Sequence, residues 1–163
     1  MIEINDKAPA FKLLNQDDKE VSLPDYAGKW LVLYFYPKDD TPGCTNEACD
    51  FTDGLADFSA IDAEVVGVSP DSTDSHRKFI AKYNLGLPLL SDPGKEALEA
   101  YGAWGTKKMY GKDVVGVIRS TFIIAPDGTI AAKWNNVRVR SKRKGEVIKH
   151  ADLVREKLIE LQA

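Results

Sequence analysis

The feature that most constrains the fold is an apolar run that leads directly into a helical stretch containing cysteine. Residues 30–36 are apolar at almost every position, which is typical of a β-strand covered on both faces. Pro42 and Gly43 then interrupt the chain, and from Cys44 to about Ser59 apolar residues recur every three or four positions, which predicts a helix. A buried strand followed by such a helix predicts a sheet that lies between helices.

The order of the remaining elements predicts an α/β thioredoxin fold, with a mixed central sheet flanked by helices and a small hairpin added at the N-terminus. A second buried strand and helix follow the first pair, and a hairpin around Pro126–Gly128 precedes a final helix. The predicted segments are hairpin strands 11–15 and 20–23, strands 64–69, 87–92, 120–125 and 129–134, and helices 72–83, 95–101 and 145–161. Because no repeat or linker interrupts the sequence, we expect residues 1–163 to form one domain.

Composition and charge argue against several classes of protein. The chain has 44% hydrophobic and 29% charged residues, which is usual for a globular protein and argues against disorder. Its formal net charge of −3 gives no general attraction to nucleic acids or acidic membranes. No apolar run approaches the roughly 20 residues that span a bilayer. Residues 1–7 carry acids where a secretory signal would carry bases, so we expect a cytoplasmic protein.

The chain has only two cysteines, Cys44 and Cys49, and both lie in the helix predicted after the first apolar strand. Cys44 opens that helix, where free backbone N–H groups favour an ionised thiol, so we predict a reactive cysteine there. Residues five apart on an ideal helix have Cα atoms about 8.7 Å apart. A disulfide requires Cα atoms within about 7 Å. A disulfide between the two cysteines therefore requires the first turns of the helix to unwind.

Arg119 is notable because it opens the apolar strand at 120–125. An arginine in such a place is most often a surface cation whose stem lies along the sheet. In a thioredoxin-like sheet, however, this strand can lie beside strand 30–36, which would bring the guanidinium close to Cys44. A cation held there would stabilise a thiolate. Fast chemistry would also require donors aimed at the charge that develops on the substrate.

Spacing alone leaves other interpretations open. The two cysteines can be ordinary helix residues, or can bind a metal together with His76 and His150. We predict no metal site, because the cysteines face apart and the histidines are distant in sequence. His76 is predicted to be a solvated or capping residue. The basic stretch Arg138–Lys144 is predicted to be a solvated loop, with nucleic-acid binding as the less favoured alternative.

One pattern resembles the active site of the peroxiredoxins, namely Pro37, Thr41 and Cys44 at the spacing Pro-x-x-x-Thr-x-x-Cys, with Arg119 in a distant strand. The similarity covers nearly the whole chain and is strongest to the bacterioferritin-comigratory, or Q-type, branch. The matching segments are Tyr34–Cys49, Gly67–Ser72, Leu89–Asp92, Lys108–Lys112 and Gly116–Ile124. The resemblance implies a thiol peroxidase that reduces hydrogen peroxide and organic hydroperoxides, with a role in antioxidant defence.

The resemblance also implies how the two cysteines work. Cys44 would be the peroxidatic thiolate, and its sulfenic acid would condense with Cys49, the resolving cysteine, to form an intramolecular disulfide. A thioredoxin or similar dithiol would reduce this disulfide, and the enzyme would need no metal, haem or flavin cofactor. Because both cysteines lie in one subunit, the chemistry does not require a dimer, and we expect a monomer.

The resemblance assigns further residues around the thiol. Thr41 and Arg119 would hydrogen-bond the peroxide oxygens and the thiolate, assisted by the backbone N–H groups of Gly43 and of the cysteine that follows it. Pro37 would shape the loop and shield the thiolate from water. Glu47 matches an acid common in this branch and would have a supporting role.

The chain departs from the family pattern after Trp134, where a short basic strand and then a Gly-His pair usually open the last helix. The stretch Val137–Glu146 lies here instead, with no histidine at that junction, which leaves surface contacts and reductant preference open.

Two other functions rival that of a peroxidase. A dithiol–disulfide oxidoreductase acting on proteins would have its cysteines separated by two residues. A non-catalytic redox sensor or binding module would be oxidised once, without turnover.

Overall fold

A computed structural model describes residues 2–163 of the chain. The strands in this range are β1 Lys12–Leu14, β2 Glu20–Ser22, β3 Trp30–Phe35, β4 Ala63–Ser69, β5 Leu89–Ser91, β6 Trp104–Met109, β7 Lys112–Val117, β8 Ser120–Ile124, β9 Ile130–Trp134, β10 Arg140–Arg143 and β11 Glu146–Lys149. The α-helices are α1 Pro42–Asp53, α2 Leu55–Ala60, α3 Thr73–Tyr83, α4 Glu96–Ala100 and α5 His150–Gln162. A short 3₁₀ helix spans Leu23–Tyr26.

Strand β3 lies inside a seven-stranded sheet whose strand order is β2-β1-β5-β4-β3-β8-β9. It pairs in parallel with β4 and antiparallel with β8, and the β1–β2 hairpin forms one edge of the sheet. Helices pack on both faces, through two separate clusters of buried apolar residues. This mixed sheet between helices confirms the predicted α/β thioredoxin fold with its N-terminal hairpin.

Successive residues of β3 enter opposite cores, because side chains alternate between the two faces of a strand. One set packs with α1, α2, α3 and α5, and the other packs with α4. The first set is Val32 and Tyr34, continued by Tyr36 just after the strand, and the second is Leu31, Leu33 and Phe35. Burial on both faces explains why the strand is apolar at every position. Cys44 belongs to the first core, so the thiol lies on the face covered by four helices.

The helix predicted from Cys44 to Ser59 is two helices. Helix α1 already begins at Pro42, because a proline fits the first turn, where its missing N–H is not needed. It ends at Gly54, whose φ of −94° and ψ of 0° break the regular turn before α2 begins. Glycine is a poor helix former, so the helix is interrupted there at little cost.

The final helix, predicted from 145 to 161, begins later in the chain than predicted. The stretch predicted as a solvated basic loop contributes β10, which pairs with β11 around a two-residue turn. Lys144 and Gly145 in this turn have φ angles of 53° and 80°, as the tight turns of β-hairpins require. Helix α5 begins only at His150, so a histidine does open the last helix, as in the family pattern, although Lys149 rather than a glycine precedes it. The expectation that this junction lacks a histidine was therefore wrong.

A second hairpin, β6–β7, was not predicted. Tyr110 and Gly111 form its turn with φ angles of 52° and 77°. The strands around this turn are rich in lysine and glycine, so their alternation of apolar and polar residues is weak. Throughout residues 2–163, none of the helices combines the length and the apolar character that crossing a membrane would require.

Candidate active site

Cys44 occupies the first turn of α1, just after the loop that leaves β3. The residue before the helix, Thr41, has extended backbone angles of −109° and 155°, and Pro42 then begins the helix. The Cys44 side chain is only 2% exposed and belongs to the core formed with Tyr34 and Phe51. The thiol therefore lies in a largely apolar surrounding at the N-terminal end of a helix.

Arg119 reaches this thiol because β8 runs antiparallel to β3. Phe35, at the end of β3, pairs with Ser120, at the start of β8, so the residue before β8 lies beside the loop that carries Cys44. The Nη2 atom of Arg119 donates a hydrogen bond to Cys44 Sγ at 3.3 Å. The Arg119 side chain is 17% exposed, so the charge contacting the sulfur is only partly screened by water.

Gly43 allows the guanidinium to approach the start of the helix. A Cβ atom placed on Gly43 would lie 3.3 Å from Arg119 Nη2, which is closer than most such contacts in proteins. Any side chain at this position would therefore press on the group that holds the thiol. The glycine gives Arg119 room beside the first turn of α1.

Glu47 holds the other side of the guanidinium. Arg119 Nη1 donates to Glu47 Oε1 at 2.6 Å, and the Glu47 side chain is 1% exposed. Burial raises the pKa of Glu47 to about 7, although Arg119 acts in the opposite direction. Within the part of the chain that the structure describes, Glu47 Oε2 and the buried hydroxyl of Tyr34 have no hydrogen-bond partner. One guanidinium thus faces both the thiol and a carboxyl group that titrates near neutral pH.

Thr41 and Pro37 form the rim of this site without contacting the sulfur through a hydrogen bond. The Thr41 hydroxyl donates to the Lys38 carbonyl at 2.8 Å, which leaves its oxygen free to accept a hydrogen bond from a peroxide O–H group. Pro37 is half-buried at the end of β3. Its ring fixes the backbone where the strand gives way to the loop.

Asp39 attaches the loop to the buried side of α3. It accepts hydrogen bonds from Tyr36 Oη at 2.6 Å and from Ser75 Oγ at 2.8 Å. Its Oδ2 atom also lies 2.7 Å from Nδ1 of His76. The second ring nitrogen of His76 lies 2.9 Å from the Leu90 carbonyl oxygen, so each nitrogen faces an acceptor. This network of buried hydrogen bonds fixes the loop that precedes Cys44.

Asp40, the next residue, attaches the loop to the exposed end of α3. Its carboxylate accepts hydrogen bonds from Lys82 Nζ at 2.8 Å and from Tyr83 Oη at 2.6 Å. Its φ of 56° lies in the left-handed region, which aspartate tolerates better than most residues. Two consecutive carboxylates thus connect the loop to two different parts of one helix.

Cys49 lies in the same helix as Cys44, and both are free thiols. It is partly exposed, whereas Cys44 is buried. Burial raises the pKa of the Cys49 thiol, Asp53 and Asp50 act in the same direction, and Arg140 opposes them. The intact helix α1 keeps the two cysteines apart, as the spacing of five residues predicts.

The prediction that His76 is solvated was wrong, because its side chain is fully buried against Asp39. A signal was present in the sequence: His76, Phe79, Ile80 and Tyr83 share the apolar stripe of α3. His150 was missed as well. It lies buried, with Nε2 2.8 Å from the hydroxyl of Thr121, and its ring packs edge-on against Phe51 and Trp134.

The sequence pattern of the AhpC/TSA family matches residues 4–133. The peroxiredoxin Bcp of Bacillus subtilis is 48% identical over 139 residues, which cover 85% of this chain and 88% of that protein. A Xylella fastidiosa PrxQ cysteine-to-serine mutant has a similar structure, with a TM-score of 0.89, 36% identity and coverage of 100% of this chain and 99% of that one.

A Xanthomonas campestris bacterioferritin comigratory protein, whose structures concern alkyl peroxide reduction, has a TM-score of 0.82 and 40% identity. The similarity covers 92% of this chain and 90% of that one. The family match includes the cysteine-bearing helix and the strand that follows Arg119. The chain belongs to the AhpC/TSA family and, within it, to the thiol peroxidases of the bacterioferritin-comigratory, or Q-type, peroxiredoxin branch.

Proposed function

We propose that the chain reduces hydrogen peroxide and organic hydroperoxides with Cys44 as the peroxidatic cysteine and Cys49 as the resolving cysteine. The observation that carries this proposal is the hydrogen bond of 3.3 Å between Arg119 Nη2 and Cys44 Sγ. A partly buried guanidinium in this position favours the thiolate, which is the nucleophilic form of cysteine. The relationship to a protein studied for alkyl peroxide reduction supports the choice of substrates.

In the first step the Cys44 thiolate attacks one oxygen of the peroxide. The S–O bond forms as the O–O bond breaks, and the leaving oxygen departs with a proton as water or an alcohol. Arg119 and the Thr41 oxygen bind the peroxide, and the N–H groups of Gly43 and Cys44 assist. Glu47 keeps the guanidinium in place through its contact of 2.6 Å, and Pro37 limits the access of water.

In the second step the Cys49 thiol attacks the sulfenic acid on Cys44 and releases water, which leaves a disulfide between the two sulfur atoms. Both cysteines lie within α1, so its first turns unwind before the sulfur atoms meet. A dithiol such as a thioredoxin then reduces the disulfide. The cycle uses one subunit and no metal, haem or flavin.

Two single substitutions test these roles. Cys44→Ser removes the nucleophile, so we expect no consumption of peroxide. Cys49→Ser leaves the first step intact, so one equivalent of peroxide should be consumed at the wild-type rate, but cycling with thioredoxin should stop. Rapid-quench experiments followed by mass spectrometry report both steps, because a sulfenic acid adds one oxygen whereas a disulfide removes two hydrogens.

The proposed roles are wrong if both variants lose the first oxidation equally. Wild-type protein treated with one equivalent of peroxide should contain a linkage between Cys44 and Cys49 within one molecule. Linkage between two molecules would contradict the intramolecular cycle. Turnover excludes a redox sensor, and peroxide-independent reduction of insulin disulfides would support a dithiol–disulfide oxidoreductase instead.

A further inference from the structure

The hairpin formed by β10 and β11 carries a charge opposite to that of the rest of the protein. Residues 138–149 contain six of the 22 Lys and Arg residues and only one of the 25 Asp and Glu residues, which gives this stretch a net charge of +5. The remaining 16 basic and 24 acidic residues have a net charge of −8. Four of the cations form no ion pair with any other residue in the range 2–163, and all four are exposed. They are Arg138, Lys142, Arg143 and Lys144.

This hairpin is held beside Cys49 by an ion pair between a partly exposed arginine and a buried carboxylate. Arg140 donates to both oxygens of Asp50, from Nε at 3.0 Å and from Nη2 at 2.7 Å, and Lys149 Nζ lies 3.9 Å from the same carboxylate. The Asp50 side chain is 1% exposed and directly follows Cys49 in α1. A two-stranded hairpin is only marginally stable alone, so this contact helps to fix its position beside α1. Its tip, at Arg143, lies about 10 Å along the strand from the anchor.

We propose that the β10–β11 hairpin is the docking surface for the protein dithiol that recycles the enzyme, and that it selects a reductant whose contact face is acidic. The inference rests on the proposed function, because it requires a disulfide between Cys44 and Cys49. It adds the place where the reductant binds and the charge that the reductant carries.

The chemistry of disulfide exchange directs the reductant to this side of α1. A thiolate of the reductant attacks one sulfur of the disulfide, forms a mixed disulfide and expels the other sulfur as a thiolate. Cys49 is the partly exposed cysteine, whereas Cys44 is buried, and Arg119 can stabilise the thiolate that leaves from Cys44. The second thiol of the reductant then attacks the mixed disulfide and releases Cys49, so that two electrons pass from the dithiol to the enzyme.

The charge distribution favours an acidic partner over a basic one. An acidic protein is repelled by the rest of this molecule, with its net charge of −8, and is attracted by the hairpin. Such opposite fields orient the partner as it approaches and raise the association rate, mainly at low ionic strength. Because the hairpin stands next to Cys49, this orientation brings the partner's thiolate toward the sulfur that it must attack.

Two synthetic dithiol peptides test the proposal without requiring the natural reductant. Both contain Cys-Gly-Pro-Cys, flanked by four glutamates in one and by four lysines in the other; dithiothreitol serves as the small reference. The disulfide form is prepared with diamide, so the hairpin can be tested independently of peroxide chemistry. The test variant is Lys142→Glu/Lys144→Glu. The control, Lys12→Glu/Lys19→Glu, makes the same change in net charge on the β1–β2 hairpin, which β5 and β4 separate from β3.

In the wild-type protein we expect the rate of reduction by the acidic peptide to fall with increasing salt, as electrostatic attraction is screened. At low ionic strength, the acidic peptide should reduce the test variant about tenfold more slowly than it reduces wild type. The basic peptide should reduce the test variant faster than it reduces wild type. Comparing proteins for each peptide cancels the intrinsic reactivity of that peptide. The rate with dithiothreitol should stay within about twofold of wild type, and the control variant should keep most of the wild-type rate with the acidic peptide.

The proposal is overturned if the test variant keeps the wild-type rate with the acidic peptide, or if the control variant loses as much. An equal loss with dithiothreitol would also overturn it, because a disturbed disulfide rather than a lost docking surface would then explain the effect. Binding of an oligonucleotide that depends on Lys142 and Lys144, with unchanged peptide rates, would assign the hairpin to nucleic acid instead. A separate reaction with one equivalent of peroxide reports on the proposed function, so the two failures can be told apart.

Discussion

The protonation of Glu47 should make the stability of the protein depend on pH in a way that one substitution can isolate. The pKa of this buried carboxyl is about 7, compared with an ordinary value of 4.5. Because the folded state holds the proton more tightly than the unfolded state, the stabilising effect is complete below pH 4.5 and is lost as the pH rises through 7. At 1.36 kcal/mol per pH unit, this difference corresponds to about 3 kcal/mol.

The variant Glu47→Gln tests this reasoning, because glutamine has nearly the same shape as glutamate and its carbonyl oxygen can still accept a hydrogen bond from Arg119. Urea unfolding of both proteins from pH 4.5 to 8.5 gives the free energy of unfolding at each pH. We expect the free energy of wild type, relative to that of the variant, to fall by about 3 kcal/mol between pH 4.5 and 7.5 and then to level off. For a protein of this size, the corresponding difference in Tm is roughly 6 to 12 °C.

Glu156→Gln is the matched control, because Glu156 is exposed on α5 and forms no ion pair within residues 2–163. The free energy of unfolding of this control should change with pH in parallel with that of wild type. A parallel profile for Glu47→Gln would refute the reasoning, since it would mean that the buried carboxyl titrates alike in the folded and unfolded states. A difference that grows with rising pH, rather than falling, would show that Arg119 outweighs burial and keeps Glu47 ionised.

Three further substitutions test other contacts. Gly43→Ala should slow oxidation by peroxide about tenfold with little loss of Tm, because its Cβ would press on Arg119; an unchanged single-turnover rate would contradict this. His76→Gln should cost about 3 kcal/mol in urea unfolding, since Asp39 would lose a buried partner at 2.7 Å; a loss below about 1 kcal/mol would disagree. Burial lowers the pKa of His150 from 6.5 to about 4, so stability falls as the pH decreases through this range. His150→Gln should remove most of that acid-side loss, of about 3 kcal/mol, in unfolding measurements at each pH.

Local patterns in the sequence were enough to predict the layers of the fold. The apolar run in β3 indicated a strand buried on both faces, and the stripe in α1 indicated a helix packed against it. The register between β3 and β8, which brings Arg119 to the thiol, could only be suggested from the sequence. The similarity to the peroxiredoxins made that suggestion specific, because it connected the cysteine motif to an arginine 75 residues away.

The pairs that complete the site depended on the tertiary structure. A periodic pattern shows which face of an element is buried, but it does not show which residue of a distant element meets that face. His76 and Asp39 are 37 residues apart, and Arg140 and Asp50 are 90 apart, so no local signal connects them. Polar residues in such pairs look solvated in the sequence, because the partners that satisfy their hydrogen bonds arrive only when the chain folds. The sequence alone thus indicated the central sheet, the helices that cover it and a thiol at the start of a helix, whereas packing between distant elements decided which charges surround that thiol.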